Sequence, residues 1–274
     1  MHGFRSARSA AWDGTYLRGI VTPPVSAVKG SDPPPHIADV IRRLRTIEAS
    51  ESRSDGVACF ARLYREVTVG VRAELTRQGF ADNRFLETLD VHFAGLFFSA
   101  LESYGRNPAV TPAAWVPLFE QRSRRGIAPL QFALAGMNAH INRDLPVALV
   151  TTCRELGLDL GEGSREHADF ERVDALLAHV EAHVKRQYVT GWLAWADRLV
   201  HRLRRIDDVV AMWDVGRARD AAWTNAQALW ALDDEPPLAR DYLIALDRMV
   251  GFASRGLLVP ADSWLLKVGR ALSG

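Results

Sequence analysis

The 274-residue chain has almost no net charge to offer a polyanion, with 34 Lys and Arg against 33 Asp and Glu and a formal charge of +1. Proteins that grip a nucleic-acid backbone need a basic excess on one face, so DNA and RNA are not expected partners. Cysteine is scarce too. Cys59 and Cys153 are far apart and form no Cys-x-x-Cys spacing, which excludes a disulfide framework or structural zinc knuckle and suits a reducing compartment. No apolar run approaches the roughly 18 residues of a membrane span, and no apolar core follows Arg5 and Arg8 as in an export signal. The expectation is a soluble cytoplasmic protein without a membrane partner. The sequence contains no Gly-x-Gly-x-x-Gly, Gly-Lys-Ser/Thr loop, nucleophile elbow or His-Glu-x-x-His, so the motifs of nucleotide binding and of the commonest hydrolases are missing.

What remains is a chain rich in helical patterning, whose 48% hydrophobic content can build a sizeable core. Residues 1–35, with Pro23-Pro24 and Pro33-Pro34-Pro35, show little periodicity and read as an irregular N-terminal arm. From 36 onward, apolar residues recur at helical spacing: Ile37, Val40, Ile41 and Leu44, then Cys59, Leu63, Val67, Val71 and Leu75, then Phe85, Leu89, Phe93, Leu96 and Phe97. Further helices are expected from Pro129, over about 165–205, and over 207–232, 237–255 and 260–272, and no convincing strand appears. The predicted fold is all-α, a single multi-helix bundle over 36–274.

One stretch breaks the pattern. Gly136-Met-Asn-Ala-His-Ile-Asn-Arg-Asp-Leu-Pro146 plants polar groups among Leu130, Phe132, Leu134, Met137, Ile141 and Val147, and closes on a proline. His140 and Asp144, four apart, share a helix face, whereas Asn138 and Asn142 point nearly the other way on an ideal helix. Pro146 supplies no N–H and crowds the carbonyl of Asn142, which predicts a kink or break. Polar groups buried in an apolar setting must satisfy one another or serve a ligand. His140 with Asp144 has the geometry of an oriented acid–base histidine, or of two metal ligands.

Other candidates surround this centre. His92 interrupts an apolar helix and joins the site if that helix packs on the motif. His167 and Asp169 fall in the first turns of a long helix, where capping explains them equally well. His179 and His183 are four apart but flank an apolar stripe, and the basic run Arg198 to Arg205 reads as a solvated face. Arg219 and Trp223 share a helix face, and the arginine can pair with Asp144 or Asp169. Trp115, Trp223 and Trp230 are candidates to line an apolar pocket. Glu166-His167 and Glu181-Ala182-His183 do not have the Glu-x-x-His spacing of di-iron bundles.

Taken with Phe93-Ala94 to Ala100, Trp115 and Phe119, His167-Ala-Asp-Phe170 and Arg219 to Trp223, the Gly136 to Pro146 segment resembles a bacterial family, frequent in actinobacteria and known only as a domain of unknown function, over about residues 55–260. The resemblance implies a helical domain with a polar centre. A more distant likeness, resting on His140-x-x-x-Asp144, is to the zinc-dependent phospholipase C and single-strand nuclease superfamily. The chain departs from that pattern in having one such repeat in apolar context and no N-terminal Trp ligand.

The functional expectation is an enzyme acting on a small, largely apolar metabolite, with His140, Asp144 and Asn138 catalytic and His92, Asn142, Asp169, Arg219 and Trp223 binding substrate. Cyclisation, isomerisation or elimination, reactions at home in specialised metabolism, need no dissociable cofactor. The asparagines join only if the helix is distorted near Pro146. The alternatives are a metal-dependent hydrolase holding zinc or another divalent ion through His140, Asp144, His92 and His167, and a non-catalytic small-molecule-binding module. A homodimer is compatible with either.

Overall fold

The computed structural model describes residues 36–77, 80–174, 177 and 214–260. The N-terminal arm, His179, His183, the Arg198 to Arg205 run and the expected last helix lie outside the described residues. Those described are helical and contain no strand. The helices are α1 (Ile37–Ser50), α2 (Gly56–Thr76), α3 (Asn83–Arg106), α4 (Val116–Gln121), α5 (Pro129–Ala139) and α6 (Leu145–Leu156). They are followed by α7, described over 165–174, α8 (Val215–Ala231) and α9 (Pro236–Leu257). A short 3₁₀ turn, Pro108–Val110, lies between α3 and α4, and a π-helical turn, His140–Asp144, joins α5 directly to α6.

The helix starts follow local chemistry. Asp55 accepts from the amides of Val57 and Ala58 at α2, Asp82 from Phe85 at α3, and Asp214 from Arg217 at α8, each meeting donors that a helix end leaves unpaired. Prolines occupy the first turn of α5, α6 and α9, where no N–H is required. Gly157 closes α6 with φ +67°, a left-handed stop that favours glycine.

The π turn is how the chain accommodates Pro146. In a regular α-helix residue 146 would donate to the carbonyl of Asn142 and the ring would crowd it. Widening the turn by one residue removes the conflict, and Leu145 donates to His140 instead. The chain continues as helix through the motif rather than breaking, and such single turns concentrate at functional sites.

The continuous rod of α5, π turn and α6 is the axis of the bundle. It packs against α2 and α9 along α5 and against α3 and α8 along α6, while α1 lies on α2. Helix α2 comes unusually near because residue 136 is glycine: a Cβ there would sit 2.4 Å from the ring of Phe60. Phe60, Phe85, Phe97, Phe132, Phe170 and Trp115 are fully buried around the rod, each contributing roughly 1.5–3 kcal/mol by burial. The polar motif is thus enclosed by aromatic surface on several sides.

Candidate functional site

His140 is 1% exposed and Asp144 0% exposed. Three donors hold the Asp144 carboxylate. Trp115 Nε1 donates to Oδ2 at 2.9 Å, His140 Nδ1 lies 3.1 Å from the same oxygen, and Arg143 Nη1 donates to Oδ1 at 2.8 Å. A carboxylate only accepts, so Nδ1 carries a proton, and in the neutral ring Nε2 then holds the lone pair. Arg143 is anchored in turn beside Asp247, 3.5 Å away, whose two oxygens accept from the amides of Ala113 and Ala114. Phe93 stacks on the imidazole with ring centres 3.5 Å apart, and Tyr64 meets it edge-on at 4.6 Å. The histidine is oriented by a carboxylate at one edge and fixed by packing on its faces. Burial pushes its pKa below the ordinary 6.5, against the opposing pull of the Asp144 hydrogen bond and charge.

His140 borders a cavity of about 70 Å³, several times the roughly 10–15 Å³ that holds one water. Val67, Val71, Leu86, Leu89 and Leu145 supply apolar wall. The polar groups on its lining are Tyr64, Asp90, His140 and Arg219. Three of these present a buried atom without a protein partner: the Tyr64 hydroxyl, Asp90 Oδ2 and His140 Nε2. Burial, aided by the nearby charge of Glu87, pushes the Asp90 carboxyl up to about 7. Burial also carries the Tyr64 phenol well above 10.0, with the charges of Asp90 and Asp144 adding to it.

Leaving a buried polar group unpaired costs about 1–3 kcal/mol. Three such groups on one cavity therefore represent roughly 3–9 kcal/mol, against the ~5–15 kcal/mol that keeps a typical domain folded. A cavity of this size can hold ordered water or a ligand that meets these groups.

Several sequence-predicted site residues are placed elsewhere. His92 lies on α3, which does pack on the motif, but its ring turns outward and Nε2 is 2.6 Å from Glu155. Asn138 faces the opposite side of the rod from His140, where its amide donates to Val250 O and Ser254 Oγ, each at 3.0 Å. Asn142 donates to Asn138 Oδ1 at 3.1 Å. Both asparagines tie the rod to α9 and to itself, on the face away from the cavity where ordinary helical spacing already directs them. Asp169, fully buried, accepts from the amides of Ala81 and Asp82 at 2.9 and 2.7 Å and fixes the entry to α3. His167 stacks on Trp223 with centres 4.5 Å apart, and neither residue is part of the cavity lining.

Arg219 does reach the cavity, yet its partner is neither Asp144 nor Asp169. It bonds Asp174 and the Phe170 carbonyl and lies over the Phe170 ring. Trp115 acts as a hydrogen-bond donor to Asp144 rather than as lining. The proposed metal set of His140, Asp144, His92 and His167 is not assembled, and no group of three His, Cys, Asp or Glu converges for a metal among the described residues.

Tyr64 and Asp90 are the residues the sequence reading overlooked. Each occupies an apolar stripe at the same spacing: Phe60, Tyr64, Val67 and Val71 on α2, and Leu86, Asp90, Phe93 and Phe97 on α3. An acidic residue four after Leu86 and three before Phe93, in line with the apolar stripe, is the available signal.

No curated protein and no solved structure matches the chain. A family model does, over residues 37–260, most of the chain and all of the site just described. The chain belongs to the family described as "Family of unknown function (DUF5995)".

Proposed function

We propose that the chain is an enzyme that acts on a small, largely apolar metabolite by acid–base catalysis, with His140 moving the proton and Asp144 orienting it. The observation that carries this reading is the imidazole itself: one nitrogen is bound to a triply held carboxylate, and the other is buried and unpartnered at an apolar cavity. A histidine held that way keeps one tautomer and needs no reorganisation at the moment of transfer. Its lowered pKa leaves it neutral, and so a base, at neutral pH. The apolar wall favours a substrate with little charge, and the reactions that suit it are cyclisation, isomerisation and elimination. A non-catalytic binding module is the second reading, since the same three atoms can orient a molecule that leaves unchanged.

The test is incubation of the protein with an apolar extract of cells that make it, followed by untargeted mass spectrometry. Wild-type protein is expected to consume at least one compound, and His140→Ala to consume none while its far-ultraviolet circular dichroism stays helical. Equal conversion by the variant would remove the proposal. A compound that co-purifies unchanged after long incubation would favour the binding module.

A further inference from the structure

The polar complement of the cavity points to a class of substrate. Resting on the acid–base reading of His140, we infer that the cavity takes a small uncharged carbonyl compound, with Tyr64 and Asp90 holding the oxygen and His140 transferring the proton of the adjacent carbon. Three elements supply these groups: Tyr64 from α2, Asp90 from α3 and His140 from the π turn, all on one cavity wall system.

The donor count selects the ligand. A Tyr64 hydroxyl and a protonated Asp90 carboxyl offer two donors, while His140 Nε2 offers an acceptor. Burial raises the Asp90 carboxyl to about 7, so it is protonated below neutrality and still carries the proton in about half of the molecules at pH 7. Two donors beside one base match a carbonyl oxygen with an acidic C–H next to it, and a carboxylic acid kept neutral by an apolar site is a known way to stabilise an enolate. A carboxylate ligand is disfavoured because Arg219, the cation on the described lining, is already bound to Asp174. Glu87 and Asp144 add negative charge near Asp90 and Tyr64.

In the step, His140 Nε2 takes the α-proton and the C–H electron pair becomes the carbon–carbon double bond. The carbonyl π pair moves onto oxygen, which receives the hydrogen bonds of Tyr64 and Asp90. The imidazolium then trades its proton with solvent and delivers a solvent-derived one to the same carbon, giving exchange, or returns its proton to the far end of a conjugated system, giving a double-bond isomer. No oxidant or co-reactant is consumed.

Acetone, cyclohexanone and methyl nonyl ketone serve as probes, with cyclohexane and cyclohexanecarboxylate as controls. Binding is read by saturation-transfer nuclear magnetic resonance and chemistry by loss of α-proton signal in deuterated buffer. At least one ketone is expected to bind and to exchange about a hundredfold faster than in buffer. His140→Gln is expected to bind that ketone without exchange, and Tyr64→Phe and Asp90→Ala to slow exchange about tenfold or more. If no ketone binds or exchanges, if both donor variants keep the full rate, or if the carboxylate binds better than the ketones, the inference is wrong. A His140-dependent change in the cell extract together with inert ketones would leave the acid–base reading standing and remove this one alone.

Discussion

Replacing Asp90 with asparagine is expected to remove a pH-dependent weakness from the fold. The carboxyl has a folded pKa of about 7 against 3.8 as the ordinary value. Between these two pH values the unfolded chain has released a proton that the native state still holds. The unfolded state therefore binds fewer protons, and stability falls as pH rises through the window. The slope for one group is about 1.4 kcal/mol per pH unit. Allowing for partial titration at both ends, the unfolding free energy of Asp90→Asn minus that of wild type should grow by about 3 kcal/mol between roughly pH 4.5 and roughly pH 7.5. His140 contributes in the opposite direction, because its folded pKa is lowered and its stability is gained as pH rises toward 6.5. That contribution is common to both proteins and cancels in the difference. Urea unfolding followed by circular dichroism across this range gives the quantity directly. A flat difference, or one that shrinks with pH, would mean that Asp90 is ionised and paired, and would refute the account of the cavity.

The remaining predictions concern packing and the placement of other residues. Gly136→Ala puts a Cβ 2.4 Å from Phe60 and is expected to destabilise by about 1–3 kcal/mol. Gly105→Ala, with nothing within 4 Å of the added carbon, should be neutral or gain up to about 1 kcal/mol, and thermal melts separate the two. Arg143→Met leaves Asp144 buried with its charge uncompensated, so urea unfolding should show a loss of about 3–5 kcal/mol. His92→Ala breaks a pair whose Glu155 side chain is 55% exposed. A cost of about 0–1 kcal/mol and unchanged conversion in the extract assay are expected, and a large loss of conversion would restore His92 to the site.

The helices were legible because their apolar stripes and caps are local signals. Asp82 and the helix-opening Pro129 act at or beside the places where the pattern starts, whereas the start at Asp214 falls inside the helix expected over 207–232. His140 with Asp144 was legible for the same reason, since a shared helix face follows from spacing alone. The π turn was not, because Pro146 announces a conflict with the Asn142 carbonyl without saying whether the chain kinks, breaks or widens. Tyr64 and Asp90 were hidden by their neighbours: a tyrosine in an aromatic stripe reads as packing, and His92 drew notice two residues from the acid that faces the cavity. Arg219 was singled out, but its pairing with Asp174 depends on how α7 and α8 meet, which no local pattern encodes. Asp169 and Asn138 looked equally chemical in sequence, and only their tertiary partners, the amides of Ala81 and Asp82 and the end of α9, assign them to structure.

The central claim is that His140 is a neutral base with its Nε2 unpartnered beside the cavity, and nitrogen-15 resonance of histidine-labelled protein tests it most directly. The signals are assigned by their loss in His140→Gln. The account predicts, at neutral pH, a protonated Nδ1 and a bare Nε2, with conversion to imidazolium only below pH 6.5. A protonated Nε2 at neutral pH, as the other tautomer or as an imidazolium, would contradict it.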